Sequence, residues 1–241
     1  MQTFITVLIT ILVFGVIIFI HELGHFIAAK LSGITVHEFA LGMGPTIFHF
    51  EKGGTKYALR LFPIGGFVSM EGEDSESEDE GAFCKKPVWK RIIVVVAGAV
   101  MNVLLGFVIL MLLNTFRTGG IPTTVIKQFN GTAPYAVEES GLKVGDKILK
   151  INGRTMFIEQ DIAFSISEDE DKVVDMVVRR DGKKVSLDNV SVGYVTVTNE
   201  SGQSEEKYPF AVDVESKNVL SVLKYTALNT LYVGRIVWLS L

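Results

Sequence analysis

Residues 4–30 read FITVLITILVFGVIIFIHELGHFIAAK. Phe4 to Ile20 carries no charge, and the apolar character resumes after His25 with Phe26, Ile27, Ala28 and Ala29. About 20 apolar residues in a helix cross about 30 Å of hydrocarbon. A secretory signal would place Lys or Arg ahead of the block, keep the apolar part shorter and end on a small-residue cleavage site, and none of these is present. The stretch therefore predicts a spanning helix. Its polar interruption, His21-Glu22-Leu23-Gly24-His25, sets two imidazoles one helical turn apart on one face, the spacing at which two side chains can bind one zinc ion. Glu22 stands beside them as the base that would take a proton from water and hand it to a leaving amine. Ionisable groups within a span cost a few kcal/mol each, so three within five residues point to function. Counting about 20 residues from Phe4 reaches Leu23, which puts the pair toward the cytoplasmic edge, where water has access.

The rest of the 241 residues agrees with a membrane protein. Hydrophobic residues make up 48% and cluster in blocks, and the net charge of -4 offers no basic surface, which argues against a nucleic-acid partner. One cysteine, Cys84, permits no internal disulfide and no thiolate cluster, so a metal must sit on His and carboxylate. His37, in a polar turn, and His49 are the alternative histidine ligands.

Residues 30–91 hold eight Lys or Arg, with Lys30 abutting the first span and Lys85, Lys86, Lys90 and Arg91 abutting the next. Positive charge marks the cytoplasmic side. Thr46 to Phe50 and Tyr57 to Phe62 read as short strands around Gly53 and Gly54. Their faces are apolar enough either to enter the bilayer against the helices or to form a small soluble hairpin. Glu71 to Glu80, EGEDSESEDE, reads as a solvated, flexible acidic link. A second span runs from Ile92 to Phe116, uncharged, with Gly98, Asn102, Gly106 and Asn114 inside it. Its small residues invite a neighbouring helix, and an amide such as Asn102 faces either a partner helix or a cavity. From Ile121 to Val197 the pattern becomes that of an α+β domain. Strands are expected at Thr123 to Phe129, Lys147 to Ile151, Val173 to Arg179 and Lys184 to Leu187, and a helix near Ile158 to Ile166. A polar linker, 198–218, and the start of a third, incomplete span, 219–241, complete the expected organisation after spans at 1–29 and 92–116.

HELGH in a first span, LGMGP and RLFPIGGFVSMEGED in the following loop, and KPVWKRIIVVVAGAVMN entering the second span together resemble the site-2 protease family of intramembrane zinc metalloproteases, of the regulator-of-sigma-E type. The resemblance covers nearly the whole chain and implies a multi-pass protein of the bacterial plasma membrane. Such a protein would use zinc on His21 and His25 with Glu22 as catalytic base, in regulated intramembrane proteolysis of membrane-protein substrates such as anti-sigma factors. It further implies a membrane re-entrant β-hairpin that presents substrate as an extended strand, with Gly65 and Gly66 as substrate contacts, and a substrate-orienting role for Asn102. TAPYAVEESGLKVGDKILKINGRTM, residues 132–156, resembles a PDZ domain, which implies an extracytoplasmic module that either binds an extended peptide at a sheet edge or excludes bulky proteins. The family's third metal ligand is an aspartate in a Leu-Asp-Gly motif of a later span, and no such motif occurs here. The 241 residues alone are therefore expected to be inactive, and the alternative expectation is a non-catalytic membrane adaptor or fragment whose PDZ-like domain binds peptides.

Overall fold

The computed structural model describes residues 2–130, 140–198 and 204–240, in two compact units, 1–108 and 109–241. The first unit begins with helix α1, Gln2–Leu31. It ends where Gly33 adopts φ +71°, with Ile34 N donating to Ala29 O at 2.9 Å and Gly33 N to Lys30 O at 3.1 Å. That is a Schellman stop, and only glycine enters the required left-handed conformation at no steric cost. Helix α2, Val88–Phe116, starts directly after Pro87, whose carbonyl accepts from Lys90 and Arg91. Among the described residues, α1 and α2 are the two helices long and apolar enough to cross a membrane. Their outer side chains, Leu12 at 67% and Leu113 at 62% exposed, have no protein partner to cover them, as lipid-facing residues require.

Between the helices lie two strands much longer than the sequence pattern suggests, β1, Val36–Lys52, and β2, Thr55–Met70. The strands run past the expected limits at Thr46 and Phe62, and Gly42 and Gly44, at φ +86° and +84°, and Gly65, at +82°, bend them. The bends fold the ribbon back on itself. Leu41 is paired with both Gly66 and Leu59, while Phe48 also pairs with Leu59. The first half of β1 is therefore an inner segment, and residues 66–70 form an outer edge that no other described strand covers. Phe39 on β1 meets Phe19 and Phe26 of α1 edge-to-face, at 6.0 and 5.3 Å between centroids, fixing the ribbon to the helix. The acidic run 71–80 is largely exposed, yet its flanks are not free. Thr35 N donates to Gly81 O, Glu71 N to Thr35 O and Phe83 N to Glu71 O, so backbone bonding to the loop after α1 holds in place what composition alone marks as a loose link.

In the second unit, strands β3 (Ile121–Phe129), β4 (Lys147–Ile151), β6 (Val173–Arg180), β7 (Lys183–Ser191) and β10 (Phe210–Glu215) form one sheet in the order β10-β3-β4-β6-β7, with β5 (Arg154–Thr155) paired to β4. Helix α3, Glu159–Ser167, closes its core through Ile162 and Ile166 against Ile126, Ile148 and Met176. Residues 198–218, expected as a linker, instead supply β9 (Ser204–Lys207), which pairs with β8 (Val195–Thr198), and the edge strand β10, which pairs with β3. Phe210 and Val212 pack on the core here, a long-range contact that local polarity does not reveal. Of the PDZ-like motif, residues 132–139 lie outside the described set. In the remainder, Asp146 is 1% exposed and is held by Arg180 Nε and Nη2 at 2.8 and 2.7 Å and by Lys143 N at 2.9 Å. Asn152, at φ +47°, makes the turn into β5. Helix α4, Val219–Leu239, occupies the expected start of a third span. It buries Tyr225 with Ile121 and Ile158, accepts Asn114 Nδ2 on Thr226 Oγ1 at 3.2 Å and sends Arg235 to the buried Asp161 at 2.7 Å.

Candidate active site

Helix α1 brings His21, Glu22 and His25 within little more than one turn. Their environment is set by α2, which crosses α1 so closely that a Cβ on Gly24 would stand 2.5 Å from the carbonyl oxygen of Ala97. Small residues let two helices meet at this distance without a layer of side chains between them. Three positions of α2 spaced by four, Val94, Gly98 and Asn102, then face the two histidines. The Val94 carbonyl accepts from His25 Nδ1 at 2.7 Å. Gly98 leaves the space in which the rings sit, since a Cβ there would come within 2.7 Å of His21 Nε2. Asn102 Nδ2 lies 3.3 Å from His21 Nδ1.

The two Nε2 atoms are 3.1 Å apart. Two ligands at the Zn–N distance of about 2.05 Å and a tetrahedral angle would be about 3.3 Å apart, so the pair is set at a zinc bite. The donor set is neutral imidazole, which suits zinc. Among the described residues no group of three or more His, Cys, Asp or Glu forms a metal cluster, and the fit extends to two ligands.

The edge segment of β2 lies over Glu22. A Cβ on Gly66 would stand 2.9 Å from Glu22 Cγ and 3.4 Å from Ile18 Cγ2. Gly65 does not share this contact: its open side meets Met43. Of the other histidines, His37 Nε2 is paired with Glu71 Oε2 at 2.6 Å, and His49 is exposed on β1 opposite Ala58; neither joins the pair on α1. Glu73, which the sequence pattern assigns no chemistry, has its carboxyl pushed above the usual range by burial first, with the charge of Asp74 beside it and that of Glu22 adding to the effect. Nothing local in EGEDSESEDE distinguishes this glutamate; the signal is the return of the chain past Met70 to α1.

The profile of peptidase family M50 matches residues 9–237. The chain belongs to that family. The site-2 protease resemblance is thereby borne out, and with the two apolar helices it makes the chain part of a membrane protein. A protein of Clostridium acetobutylicum is 31% identical over 100% of this chain and 68% of its own length, and one of Fusobacterium nucleatum is 40% identical over 76% of this chain and 54% of its own. The regulator of sigma-W protease RasP of Bacillus subtilis is 30% identical over 98% of this chain and 74% of its own length. The chain thus spans between about half and three quarters of these relatives.

Proposed function

We propose that these residues form the catalytic half-site of an intramembrane zinc protease that cuts peptide bonds within or beside spanning segments of other membrane proteins. The observation that carries this reading is the pairing of His21 and His25, Nε2 to Nε2 at 3.1 Å, inside a helix of membrane length, in a chain of the M50 family. Membership of that family makes the chemistry zinc-dependent proteolysis. His21 and His25 would hold the zinc, which when bound would supply Lewis acidity toward a peptide carbonyl and lower the pKa of water. Glu22 takes the proton released by the attacking water and returns it to the leaving amine. The third ligand is assigned, by the family resemblance, to an aspartate of a later span.

Substrate is proposed to add as an extended strand along residues 66–70, whose outer edge carries unpaired backbone donors and acceptors and passes Glu22 at Gly66. Gly66 adds no side chain where that edge passes Glu22, and by the family resemblance Gly65 is proposed as a further backbone contact and Asn102, beside His21, as a substrate-orienting residue. Anti-sigma factors are the proposed substrate class, in keeping with the name of the Bacillus subtilis relative. The protein is proposed to be multi-pass in a bacterial plasma membrane with residues 30–91 cytoplasmic, from the basic residues flanking both spans. The sheet of the second unit is proposed to be an extracytoplasmic PDZ-like module, a peptide binder or a size filter.

Glu22→Gln in the full-length protein tests the assignment. Expected is one zinc per protein, as in the wild type, with cleavage of a membrane substrate reduced about 10²-fold or more. Undiminished cleavage would remove Glu22 from the mechanism.

A further inference from the structure

We infer that Asn102 is the positioning residue that selects the tautomer of His21, by accepting the Nδ1–H proton on its amide oxygen and so turning a bare Nε2 toward the metal. This rests on the reading of His21 and His25 as zinc ligands. A ligating imidazole must present a lone pair, and which nitrogen presents it is set by the hydrogen bond at the other. For His25 the partner is plain. The Val94 carbonyl, 2.7 Å from Nδ1, can only accept, so Nδ1 carries the proton and Nε2 is bare.

His21 has the same requirement and no backbone acceptor at its Nδ1. The group that stands there is the amide of Asn102, 3.3 Å away through Nδ2. Its other end, Oδ1, is buried and makes no hydrogen bond, one of three such side-chain atoms among the described residues. If Nε2 of His21 is to be bare for a metal, its Nδ1 must carry the proton, and the unpaired buried acceptor Oδ1 then belongs to the side chain already in contact with that nitrogen. Rotating the amide by about 180°, which exchanges two ends of nearly equal size, joins them. Oδ1 then accepts from His21 Nδ1, and Nδ2 takes the buried position that Oδ1 leaves. One face of α2, at Val94, Gly98 and Asn102, would then orient one ring, make room for both and orient the other. An amide does this without a formal charge, which within a span costs less than the carboxylate that orients many zinc-bound histidines in water.

The test uses the full-length protein in detergent. In its ¹⁵N spectra with labelled histidine, His21 is expected to be protonated at Nδ1, and Asn102→Leu, close in size but lacking an acceptor, is expected to lose that preference. Zinc affinity by chelator competition is expected to fall about 10- to 100-fold in Asn102→Leu and to be retained in Asn102→Asp, which keeps an oxygen at the same place. Protonation of wild-type His21 at Nε2, unchanged affinity in Asn102→Leu, or equal loss in Asn102→Leu and Asn102→Asp would each overturn the inference, the last by showing that only packing is at stake. A folded wild type that binds no zinc, with His21 still protonated at Nδ1, would instead refute the protease reading while leaving the Asn102 contact standing.

Discussion

His25 Nδ1 donates to the carbonyl oxygen of Val94 at 2.7 Å, so the proposed metal ligand on α1 is oriented by the backbone of α2. No side chain at position 94 can supply or remove that bond. The distance between the two helices, set where Gly24 meets Ala97, is therefore part of the proposed metal site.

Gly98→Ala tests that dependence. The added methyl would stand 2.7 Å from His21 Nε2, inside van der Waals contact, and must displace the ring or part the helices. Zinc affinity of the full-length protein is expected to fall about 10-fold or more, read by metal analysis after dialysis against a weak chelator. Gly106→Ala, on the same helix with nothing within 4 Å of the new Cβ, is the matched control and should bind zinc normally.

Gly66→Ala separates the base from the metal. Its Cβ would press on Glu22 Cγ at 2.9 Å and on the Ala40 carbonyl at 3.0 Å. The expected outcome is full zinc occupancy with the rate of cleavage reduced about 10²-fold, as when a general base is displaced. Loss of zinc together with activity would place Gly66 in the metal site instead of at the base.

Asp146→Ala is expected to destabilise the second unit while sparing the first. The carboxylate is 1% exposed, and its removal leaves the Lys143 N–H without that acceptor and Arg180, 24% exposed at the side chain, with its bond to the Gly141 carbonyl but without its carboxylate. Breaking a buried pair costs about 3–5 kcal/mol, and the partial exposure of Arg180 sets the expectation at about 3 kcal/mol. Denaturant unfolding followed by limited proteolysis of residues 121–215 would measure it.

Acid is expected to loosen the ribbon of β1 and β2 through Glu38. Burial alone would raise its carboxyl, but Arg60 at 2.8 Å and Lys56 at 3.5 Å outweigh burial and hold it below the ordinary 4.5. A depressed carboxyl contributes stability that is complete above the unfolded value and is lost as pH falls through the folded one. Hydrogen exchange in residues 36–70 should accelerate below about pH 4.5, and Glu38→Gln should flatten that response. Equal acid sensitivity in the variant would assign the effect elsewhere.

The membrane character, the two spans and the His21, Glu22, His25 set are legible in the sequence because each is a local property. An apolar block of sufficient length must leave water, and residues four apart in a helix must share a face. The strands of the second unit were readable for the same reason where they alternate, and β10 was not, because Phe210 and Val212 acquire their meaning only against β3 and the core. The extent of β1 and β2 was hidden by glycines and prolines that locally mark ends and here make bends. What tertiary structure alone decided is how the second helix completes the site. That the Val94 carbonyl holds His25, that Gly98 is empty for the sake of two rings, that Asn102 reaches His21 and that Gly66 lies over Glu22 all depend on where separate segments cross. A crossing is settled by packing between side chains far apart in the chain, and neither periodicity nor spacing within one segment carries it.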